Sequence, residues 1–193
     1  MKLMLSKLLR RMEATFRHYR FCRFDEKLFD NYQGGFSLDL GCGPTPRNPF
    51  RASTLAGIDL HKNEQLNIYS VDLAIDPIPF QNDTFDYVTA YDFIEHVPRV
   101  IYAPTRRFPF VELMNEVYRV LAPGGLFLSF TPAAPSSEAY QDPTHVNFIT
   151  EETFTRYFDD KHTLGSIYGF NGKFQVIQQG WTGGHLVSVL KKC

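Results

Sequence analysis

The stretch Phe36-Ser-Leu-Asp-Leu-Gly-Cys-Gly-Pro44 decides the fold of this chain. Its apolar residues alternate with Ser37 and Asp39, which is typical of a short strand that enters a sheet. The strand then breaks into Gly41 and Gly43, which let the backbone turn sharply and leave room for a ligand because neither carries a Cβ. Open α/β sheets bind ligands at the carboxyl ends of their strands, so this turn is predicted to lie in a binding site.

The glycine turn lacks one feature of dinucleotide-binding loops. Such loops carry a third glycine, and the corresponding residue in this chain is Pro46. This difference counts against a nicotinamide or flavin cofactor. Asp39, at the end of the strand, could hold a cation or accept hydrogen bonds from an ammonium group. Cys42 lies inside the turn and is predicted to be a small filler rather than a nucleophile.

Further strand and turn motifs follow the glycine turn in a fixed order, at Gly57–Leu60, Val71–Leu73, Phe85–Val88 and Val120–Phe130. As an ordered set these motifs resemble the class I S-adenosylmethionine-dependent methyltransferases, most closely the group called methyltransferase type 11. The resemblance runs from about Phe36 to Phe130, half of the chain. It implies an α/β, Rossmann-like fold with a mostly parallel seven-stranded sheet, a C-terminal antiparallel hairpin and helices on both faces.

The resemblance also implies S-adenosylmethionine as the cofactor and points to its contacts. Asp59 ends the second strand, where this fold places an acid that accepts hydrogen bonds from ribose hydroxyls, although it could be an ordinary turn residue. Asp72 and the Leu73 backbone would read the adenine edge. The predicted cofactor-binding residues are Asp39, Gly41, Cys42, Gly43, Asp59, Leu60, Asp72, Leu73, Asp92 and Phe93.

The fourth strand, Phe85 to Tyr91, ends in a group of polar residues. The family commonly carries an acid–histidine pair here, and helical spacing would put Asp92, Glu95 and His96 on one side of a helix start. These side chains could contact the cofactor, orient the substrate or accept a proton. Alternatively, the acids could simply be favoured by the dipole of the helix.

The segment from Thr131 to Thr150 is too long for an idle connection and contains Gln141-Asp-Pro-Thr-His-Val-Asn147. This motif resembles type 11 relatives found with sugar and polysaccharide biosynthesis. His145 is the best candidate for a general base, because histidine's ordinary pKa of about 6.5 lets it accept a proton at neutral pH. Asp142 could orient it, or His145 could only fix the loop. The predicted catalytic residues are His145, His96 and Glu95.

No metal site is predicted. Asp92, His96, Asp142 and His145 could converge on an ion, but their spacing in the sequence is not diagnostic of one. The cysteines are three in number and show no C-x-x-C spacing, which argues against a disulfide framework and a structural zinc site. This cysteine usage favours a reducing compartment, so the predicted location is cytoplasmic.

The N-terminal segment is basic. Residues 1–23 carry seven Lys and Arg against Glu13, a balance of +6, so the remaining residues carry −7. Residues 3–20 show the apolar spacing of an amphipathic helix. This helix could lie on an anionic membrane surface or grip phosphates, but packing over the cofactor cleft is favoured. The predicted organisation is a helical segment over residues 1–33 and a methyltransferase domain over residues 34–193.

The chain of 193 residues, 44% of them hydrophobic, suits one α/β domain and contains no apolar run long enough to span a membrane. Pro44, Pro46 and Pro49 leave room for only a short first crossover. The arginine-rich segment Arg99–Phe108 could be a lid that holds an anionic or sugar-like substrate, or a solvated loop. Residues 173–190 predict a terminal hairpin, typical of methyltransferases.

Together these features predict a methyltransferase that moves a methyl group to an oxygen or nitrogen of a small molecule, such as a sugar or glycan end. Nucleic acid is not expected as a partner, because the core is acidic and shows no aromatic–basic platform. Two alternatives remain: a catalytically inactive partner subunit that binds S-adenosylmethionine, and a membrane-associated scaffold that uses residues 1–23. The oligomeric state is not predicted.

Overall fold

The computed structural model describes Lys7 and residues 23–193 of the chain. Seven strands form one sheet, and their bounds are β1 (Phe36–Leu40), β2 (Thr54–Asp59), β3 (Ile68–Ser70), β4 (Phe85–Tyr91), β5 (Leu121–Pro132), β6 (Phe174–Thr182) and β7 (His185–Lys192). The α-helices are α1 (Pro109–Val120), α2 (Glu138–Gln141) and α3 (Glu151–Tyr157). Short 3-10 helices cover Glu26–Asn31, Glu64–Leu66, Ile94–His96 and Leu164–Tyr168.

The strands lie in the order β3-β2-β1-β4-β5-β7-β6. Strands β1 to β5 pair in parallel, whereas β7 pairs antiparallel with both β5 and β6. The carboxyl ends of the parallel strands therefore meet at one edge of the sheet, with the switch in strand order between β1 and β4. The predicted mostly parallel seven-stranded sheet and its antiparallel C-terminal hairpin are confirmed.

Strand β1 is buried on both of its faces. The alternating sequence predicts one polar face, yet Ser37 is 0% and Asp39 is 1% exposed. The reason is the position of β1 between β2 and β4 in a parallel sheet, where both faces are covered by other parts of the chain. The carboxylate of Asp39 is thus enclosed in the protein rather than facing solvent.

Two apolar clusters mark the two faces of the sheet. On one face, residues such as Leu38 and Val88 pack against Phe110 of α1 and Phe154 of α3. Helix α1 begins with Pro109 at its first position, where a missing N–H is tolerated. Helix α3 is capped by Thr150, whose backbone N–H donates to Oγ1 of Thr153 (2.9 Å).

The opposite face is covered differently. No α-helix lies between β1 and β2, as the three prolines predict, and Phe50 takes the place of a crossover helix. Its ring is 0% exposed and stacks on Tyr87 of β4 with centroids 4.5 Å apart. Burying a phenylalanine side chain contributes roughly 1.5–3 kcal/mol. The 3-10 helix Glu26–Asn31 adds Phe29, whose ring meets Phe50 edge-on.

The bounds of two strands and one helix differ from the motif pattern of the sequence. Strand β3 ends at Ser70, before the Val71–Leu73 motif, and β5 begins at Leu121, so Pro123-Gly-Gly125 lies within the strand. This early start coincides with a register irregularity between Phe85 and Tyr87 of β4. The α-helix expected to start directly after β4 does not form. Only the 3-10 turn Ile94–His96 forms, because Asp92 has a positive φ of 50° and Pro98 follows closely.

The N-terminal predictions largely lie outside the described residues. The amphipathic helix over residues 3–20, its packing over the cleft and its membrane contact belong to this part of the chain. Where the description resumes, the Phe24 N–H donates to the Trp181 carbonyl (3.1 Å), which attaches the segment to β6. Within the described residues, no helix has both the length and the apolar character needed to cross a membrane.

Candidate functional site

The glycine turn lies at the carboxyl end of β1, where Gly41 and Gly43 both have left-handed backbone angles (φ 62° and 61°). A Cβ on Gly41 would lie 2.4 Å from Cδ2 of Phe93, so only glycine fits there. At Gly43 a Cβ would meet no atom within 4 Å. The backbone at Gly43 is therefore open to an approaching group, as expected for a ligand-binding turn.

Asp39 supports this turn from below. Its Oδ1 accepts a hydrogen bond from Oγ1 of Thr89 (2.6 Å), and its Oδ2 accepts one from the Arg47 backbone N–H (2.8 Å). Burial raises the pKa of Asp39 from 3.8 to about 6, against the opposing effect of these hydrogen bonds. Direct contact between Asp39 and a cofactor stays a prediction, since both oxygens already bind protein groups.

Asp59 joins the end of β2 to the same turn. Its Oδ2 accepts a hydrogen bond from the Gly43 N–H (2.9 Å), and its Oδ1 accepts one from the Leu60 N–H (2.8 Å). Oδ1 also accepts a hydrogen bond from the His61 N–H (3.4 Å). A carboxylate can accept about four hydrogen bonds, so a lone pair on Oδ2 remains for a ribose hydroxyl. Leu60 is 63% exposed, which leaves its side chain at the surface beside this carboxylate.

Cys42 fills the space between β1 and β2. A Cβ on Gly57 would lie 2.6 Å from Cys42 Sγ, so Gly57 is the residue of β2 that lets the turn pack closely. Burial raises the pKa of the Cys42 thiol to about 12, and the carboxylates of Asp39 and Asp59 add to this. The thiol thus stays protonated at neutral pH, as a packing role requires and a nucleophile does not.

The predicted adenine-reading residues follow β3. Asp72 is exposed, and its Oδ1 accepts a hydrogen bond from the Ala74 N–H (3.0 Å), which fixes a turn. Leu73 is 6% exposed and packs in the core, so its backbone rather than its side chain is available near the edge of the sheet. The structure therefore holds the Asp72–Leu73 turn in place next to β2.

Asp92 and Phe93 follow β4, on the other side of the glycine turn. The Phe93 ring lies against Gly41, as described above. Asp92 pairs with Nε2 of His185 (2.9 Å), whose ring stacks on Phe130 with centroids 4.5 Å apart. The sequence reading missed His185, because its place opposite β5 depends on the pairing of the C-terminal hairpin. Thus Asp92 does not share one helix face with Glu95, as the sequence analysis predicted.

Glu95 points into the protein beneath the turn. It is 1% exposed, its Oε2 accepts a hydrogen bond from Oγ1 of Thr131 (2.7 Å), and within the described residues its Oε1 has no hydrogen-bond partner. Burial raises the pKa of Glu95 above its ordinary value, although the hydrogen bond from Thr131 opposes this. Thr131 lies at the carboxyl end of β5, and the sequence reading missed its role.

His96 belongs to a hydrogen-bonded chain that ends in a carboxylate. Thr144 Oγ1 lies 3.0 Å from Nδ1 of His96 and donates its proton to Oδ1 of Asp142 (2.6 Å). The hydrogen bonds from Thr144 hold the pKa of Asp142 below its ordinary value. Asp142 therefore orients His96 through Thr144, and the prediction that it orients His145 is wrong in this geometry.

His145 lies directly beside His96, with ring centroids 4.9 Å apart and an interplanar angle of 75°. Its Nδ1 is 3.3 Å from the Ala139 carbonyl oxygen, which belongs to α2. His145 is half-buried, whereas His96 is exposed. The structure thus brings together the three predicted catalytic residues, Glu95, His96 and His145, although they come from two different loops.

Asn147 fixes the long loop onto the turn after β4, and the sequence reading missed it. It is 1% exposed, its Nδ2 donates to the Ile94 carbonyl (2.9 Å), and its Oδ1 accepts a hydrogen bond from Nε of Arg99 (2.7 Å). The backbone N–H groups of Val146 and Asn147 both donate to the Glu95 carbonyl (2.9 Å each). An asparagine within a polar loop motif gave no signal that it would be buried.

The arginines of the proposed lid mostly contact the protein itself. Arg99 also donates to the Phe148 carbonyl, and Nε of Arg107 donates to Oε2 of Glu112 (3.0 Å). The guanidinium of Arg106 lies 5.6 Å from the ring centre of Phe108. Two of the three guanidinium groups are thus engaged in fixing loops, which favours a structural role over a substrate clamp for Arg99 and Arg107.

The site therefore consists of two neighbouring parts. The first, the cofactor side, is the glycine turn with the carboxylates of Asp39 and Asp59 and the segments after β3 and β4. The second, which we call the acceptor-side cluster, consists of Glu95, His96 and His145. Both lie at the carboxyl edge of the parallel strands, where this fold binds its ligands.

Comparisons with known proteins agree with this geometry. The chain is similar in structure to a chain from the complex between the Haloferax volcanii Trm112 methyltransferase activator and a methyltransferase, with 16% identity, a TM-score of 0.58 and coverage of 95% of this chain and 93% of that one. It is also similar to an S-adenosylmethionine-dependent methyltransferase from Archaeoglobus fulgidus, with 15% identity, a TM-score of 0.54 and coverage of 97% and 94%. These likenesses support the fold.

A search of curated proteins finds no match. The family is shown instead by a family model described as a methyltransferase domain, which matches residues 14–161 and hence more than half of the chain. Family membership makes the chain an enzyme and implies S-adenosylmethionine as its methyl donor. With the seven-stranded sheet and the glycine turn at its carboxyl edge, this match shows that the chain belongs to the methyltransferase domain family.

Proposed function

We propose that this methyltransferase transfers a methyl group to a hydroxyl oxygen of a small molecule, with a sugar or glycan end as the substrate class. The observation that carries the proposal is the pair of imidazoles, His96 and His145, next to the cofactor side of the site. An acceptor hydroxyl must lose a proton during methyl transfer, and a neutral imidazole can accept it. An amine acceptor that is already neutral has less need of such a base.

On the cofactor side, we propose that the backbone of Gly41 and Gly43 supports the methionine part of S-adenosylmethionine and that Asp59 accepts hydrogen bonds from the ribose. The fit rests on the open space at Gly43 and on the lone pair that remains on Oδ2 of Asp59. S-adenosylmethionine supplies a methyl group already activated on a sulfonium. The contribution of the protein is consequently to align the acceptor, exclude water and accept one proton.

In the proposed reaction the acceptor oxygen forms a bond to the methyl carbon as the carbon–sulfur bond breaks. The sulfonium becomes a neutral thioether, and the hydroxyl proton passes to an imidazole. His145 is the proposed base, with His96 as the second candidate. Thr144 and Asp142 hold the ring of His96 in one orientation.

Calorimetric titration with S-adenosylmethionine and with its demethylated product tests the cofactor part of the proposal. We expect binding of both by the wild type and at least a tenfold weaker affinity for Asp59→Ala, because this change removes the carboxylate that holds the Gly43 N–H. Asp30→Ala is the control, since Asp30 forms an ion pair with Arg51 at the surface. Equal affinities of Asp59→Ala and the wild type would contradict the proposed site.

A radiolabelled methyl-transfer screen then tests the acceptor class. Saccharides that carry free hydroxyls should accept label, and His145→Ala should lower the rate while leaving cofactor affinity unchanged. Labelling of amines alone would overturn the hydroxyl assignment.

We further propose a reducing, cytoplasmic location for the enzyme, consistent with free thiols on Cys42 and Cys193, and no nucleic-acid partner. Contact of residues 1–23 with a membrane surface remains a separate proposal, which vesicle sedimentation with and without this segment would test.

A further inference from the structure

The acceptor-side cluster has the composition of a metal site. Glu95, His96 and His145 each offer one ligand atom, and these atoms lie within 4.8 Å of one another. Glu95 and His96 come from the turn after β4, and His145 comes from the loop after β5, so the fold rather than a sequence motif brings them together. Glu95 is buried, His145 is half-buried and His96 is exposed, which leaves the cluster accessible from one side.

The carboxylate of Glu95 is incompletely satisfied. One oxygen accepts the hydrogen bond from Thr131, and the other, Oε1, has no partner among the residues that the structure describes. The residue is only 1% exposed, so water offers little compensation. A buried carboxylate oxygen without a partner is costly and rare, which indicates that a further group binds there.

The hydrogen bonds of the two histidines fix which nitrogen carries the proton. Because the single hydroxyl proton of Thr144 is donated to Asp142, its oxygen must accept from Nδ1–H of His96. The Ala139 carbonyl can only accept, so Nδ1 of His145 also carries a proton. In its neutral form each imidazole therefore keeps a free lone pair on Nε2. Each ring also has a hydrogen bond at Nδ1 of the kind that orients metal-binding histidines in other proteins.

From these observations we propose that Glu95, His96 and His145 bind a divalent transition-metal ion. Two imidazoles and one carboxylate suit Zn²⁺ or Fe²⁺, whereas Mg²⁺ and Ca²⁺ prefer oxygen ligands throughout. Three protein ligands leave at least one coordination position open. The proposed site thus has the form of a catalytic metal site rather than a closed structural one.

The distances allow such a site after a small adjustment. Ligand atoms about 2.1 Å from a tetrahedral ion are separated by about 3.4 Å, and the cluster places them within 4.8 Å of one another. A slight movement of the loop that carries both His145 and Thr144 can close the difference while the His96 ring keeps its hydrogen bond to Thr144. Glu95 is held in place by Thr131, so it would serve as the fixed ligand.

The metal site itself does not depend on the proposed function, but the part that the ion would play in methyl transfer rests on it. The acceptor hydroxyl would occupy the open coordination position of the ion. Coordination would lower the pKa of this hydroxyl, so that its proton leaves to solvent before or during methyl transfer. The two imidazoles would then hold the ion and would not act as bases. Loss of methyl transfer on chelation, and its recovery with one metal, would show that the ion activates the acceptor hydroxyl. Methyl transfer that chelators do not affect would show instead that an imidazole accepts the proton.

The test is titration of the untagged, chelator-treated wild type with Zn²⁺ and with Fe²⁺ under anaerobic conditions, read by calorimetry and by metal content after dialysis. We expect one ion per chain. The isosteric Glu95→Gln and the truncation His145→Ala should each weaken binding at least tenfold. His162→Ala and Cys193→Ser alter exposed residues outside the cluster and should bind as the wild type does.

Affinity for S-adenosylmethionine, measured on the same samples, distinguishes a variant that has lost the metal site from one that has lost its fold. Variants that keep cofactor binding but lose the ion support the metal site, because their fold is intact. Absence of saturable binding to the wild type, or equal binding by Glu95→Gln and the wild type, would overturn it. A chain that binds metal but no cofactor would contradict the proposed function and leave the metal site standing.

Discussion

Thr89 of β4 donates a 2.6 Å hydrogen bond to the buried carboxylate of Asp39 in β1, directly beneath the glycine turn. The bond joins the two strands between which the order of the sheet changes direction. The second oxygen of Asp39 holds the chain after the turn through the Arg47 N–H (2.8 Å). One carboxylate therefore couples the centre of the sheet to the loop that forms the cofactor side of the site.

The first prediction concerns the pH dependence of stability. Burial raises the pKa of Asp39 to about 6 in the folded chain, so between its ordinary pKa and 6 the folded state binds more protons than the unfolded state. Stability should therefore fall as pH rises through this window and then level off, by about 3 kcal/mol for Asp39. Denaturant unfolding of the wild type and of Asp39→Asn at pH 4 to 7 measures this change in the free energy of unfolding.

The informative quantity is the difference between the two proteins, because Glu95 also titrates with a raised pKa. Asp39→Asn should shift stability by a constant amount and remove the part of the slope that belongs to Asp39. Asp76→Asn, at an exposed position, serves as the control. Parallel pH profiles for the wild type and Asp39→Asn would show that Asp39 does not have the raised pKa.

The second prediction separates backbone strain from ligand exclusion at the glycine turn. Gly43→Ala should weaken S-adenosylmethionine binding at least tenfold, because the new methyl group enters the open space above the turn. Gly183 has the same φ of 61° and the same empty surroundings, but it lies in the β6–β7 hairpin. Both substitutions should lower the free energy of unfolding by about 1–2 kcal/mol, because alanine is strained at this φ. Only Gly43→Ala should weaken cofactor binding, whereas Gly183→Ala should leave cofactor affinity unchanged.

The third prediction concerns packing between Cys42 and Gly57. Gly57→Ala should destabilise the chain by about 1–3 kcal/mol, because its Cβ would lie 2.6 Å from Cys42 Sγ. Combining it with Cys42→Ala should recover part of the loss, since that change removes the sulfur. The Cγ of Pro46, 2.8 Å away, limits the recovery. A double-mutant cycle with no coupling would contradict the contact.

The fourth prediction concerns Thr144 as a positioning residue. Thr144→Val removes the hydroxyl between Asp142 and His96 while keeping the shape, and we expect kcat to fall about tenfold with little change in cofactor affinity. Thr144→Ser restores the hydroxyl and should recover most of the rate. A merely structural role would instead lower stability and leave kcat of the folded fraction unchanged, which thermal unfolding and single-turnover assays distinguish.

Much of the fold could be predicted from the sequence because its signals are local. The run Phe36–Leu40 and the glycines after it specify β1 and its turn without reference to the rest of the chain. The prolines at 44, 46 and 49 likewise exclude a crossover helix. The antiparallel hairpin was visible because two strand patterns flank Gly183-Gly184. Each of these features is determined by residues next to one another in the sequence.

The acceptor-side cluster could be predicted only in part. His145 and His96 were candidates as single residues, but their contact depends on Asn147, which is buried against the turn after β4. Asp142 was assigned to its sequence neighbour His145, whereas Thr144 directs it to His96, 46 residues earlier in a different loop. His185 reaches Asp92 only through strand pairing. Contacts between distant segments leave no periodic signal in one sequence.

The attachment of Val146 and Asn147 to a single carbonyl, that of Glu95, has a consequence for how the site opens. Neither loop can swing away alone without breaking these bonds, so a substrate that needs more room must displace both as one body. Amide protons of Val146 and Asn147 should then exchange with deuterium at a common rate, and that rate should slow together when an acceptor binds. The two segments are therefore expected to move as one unit.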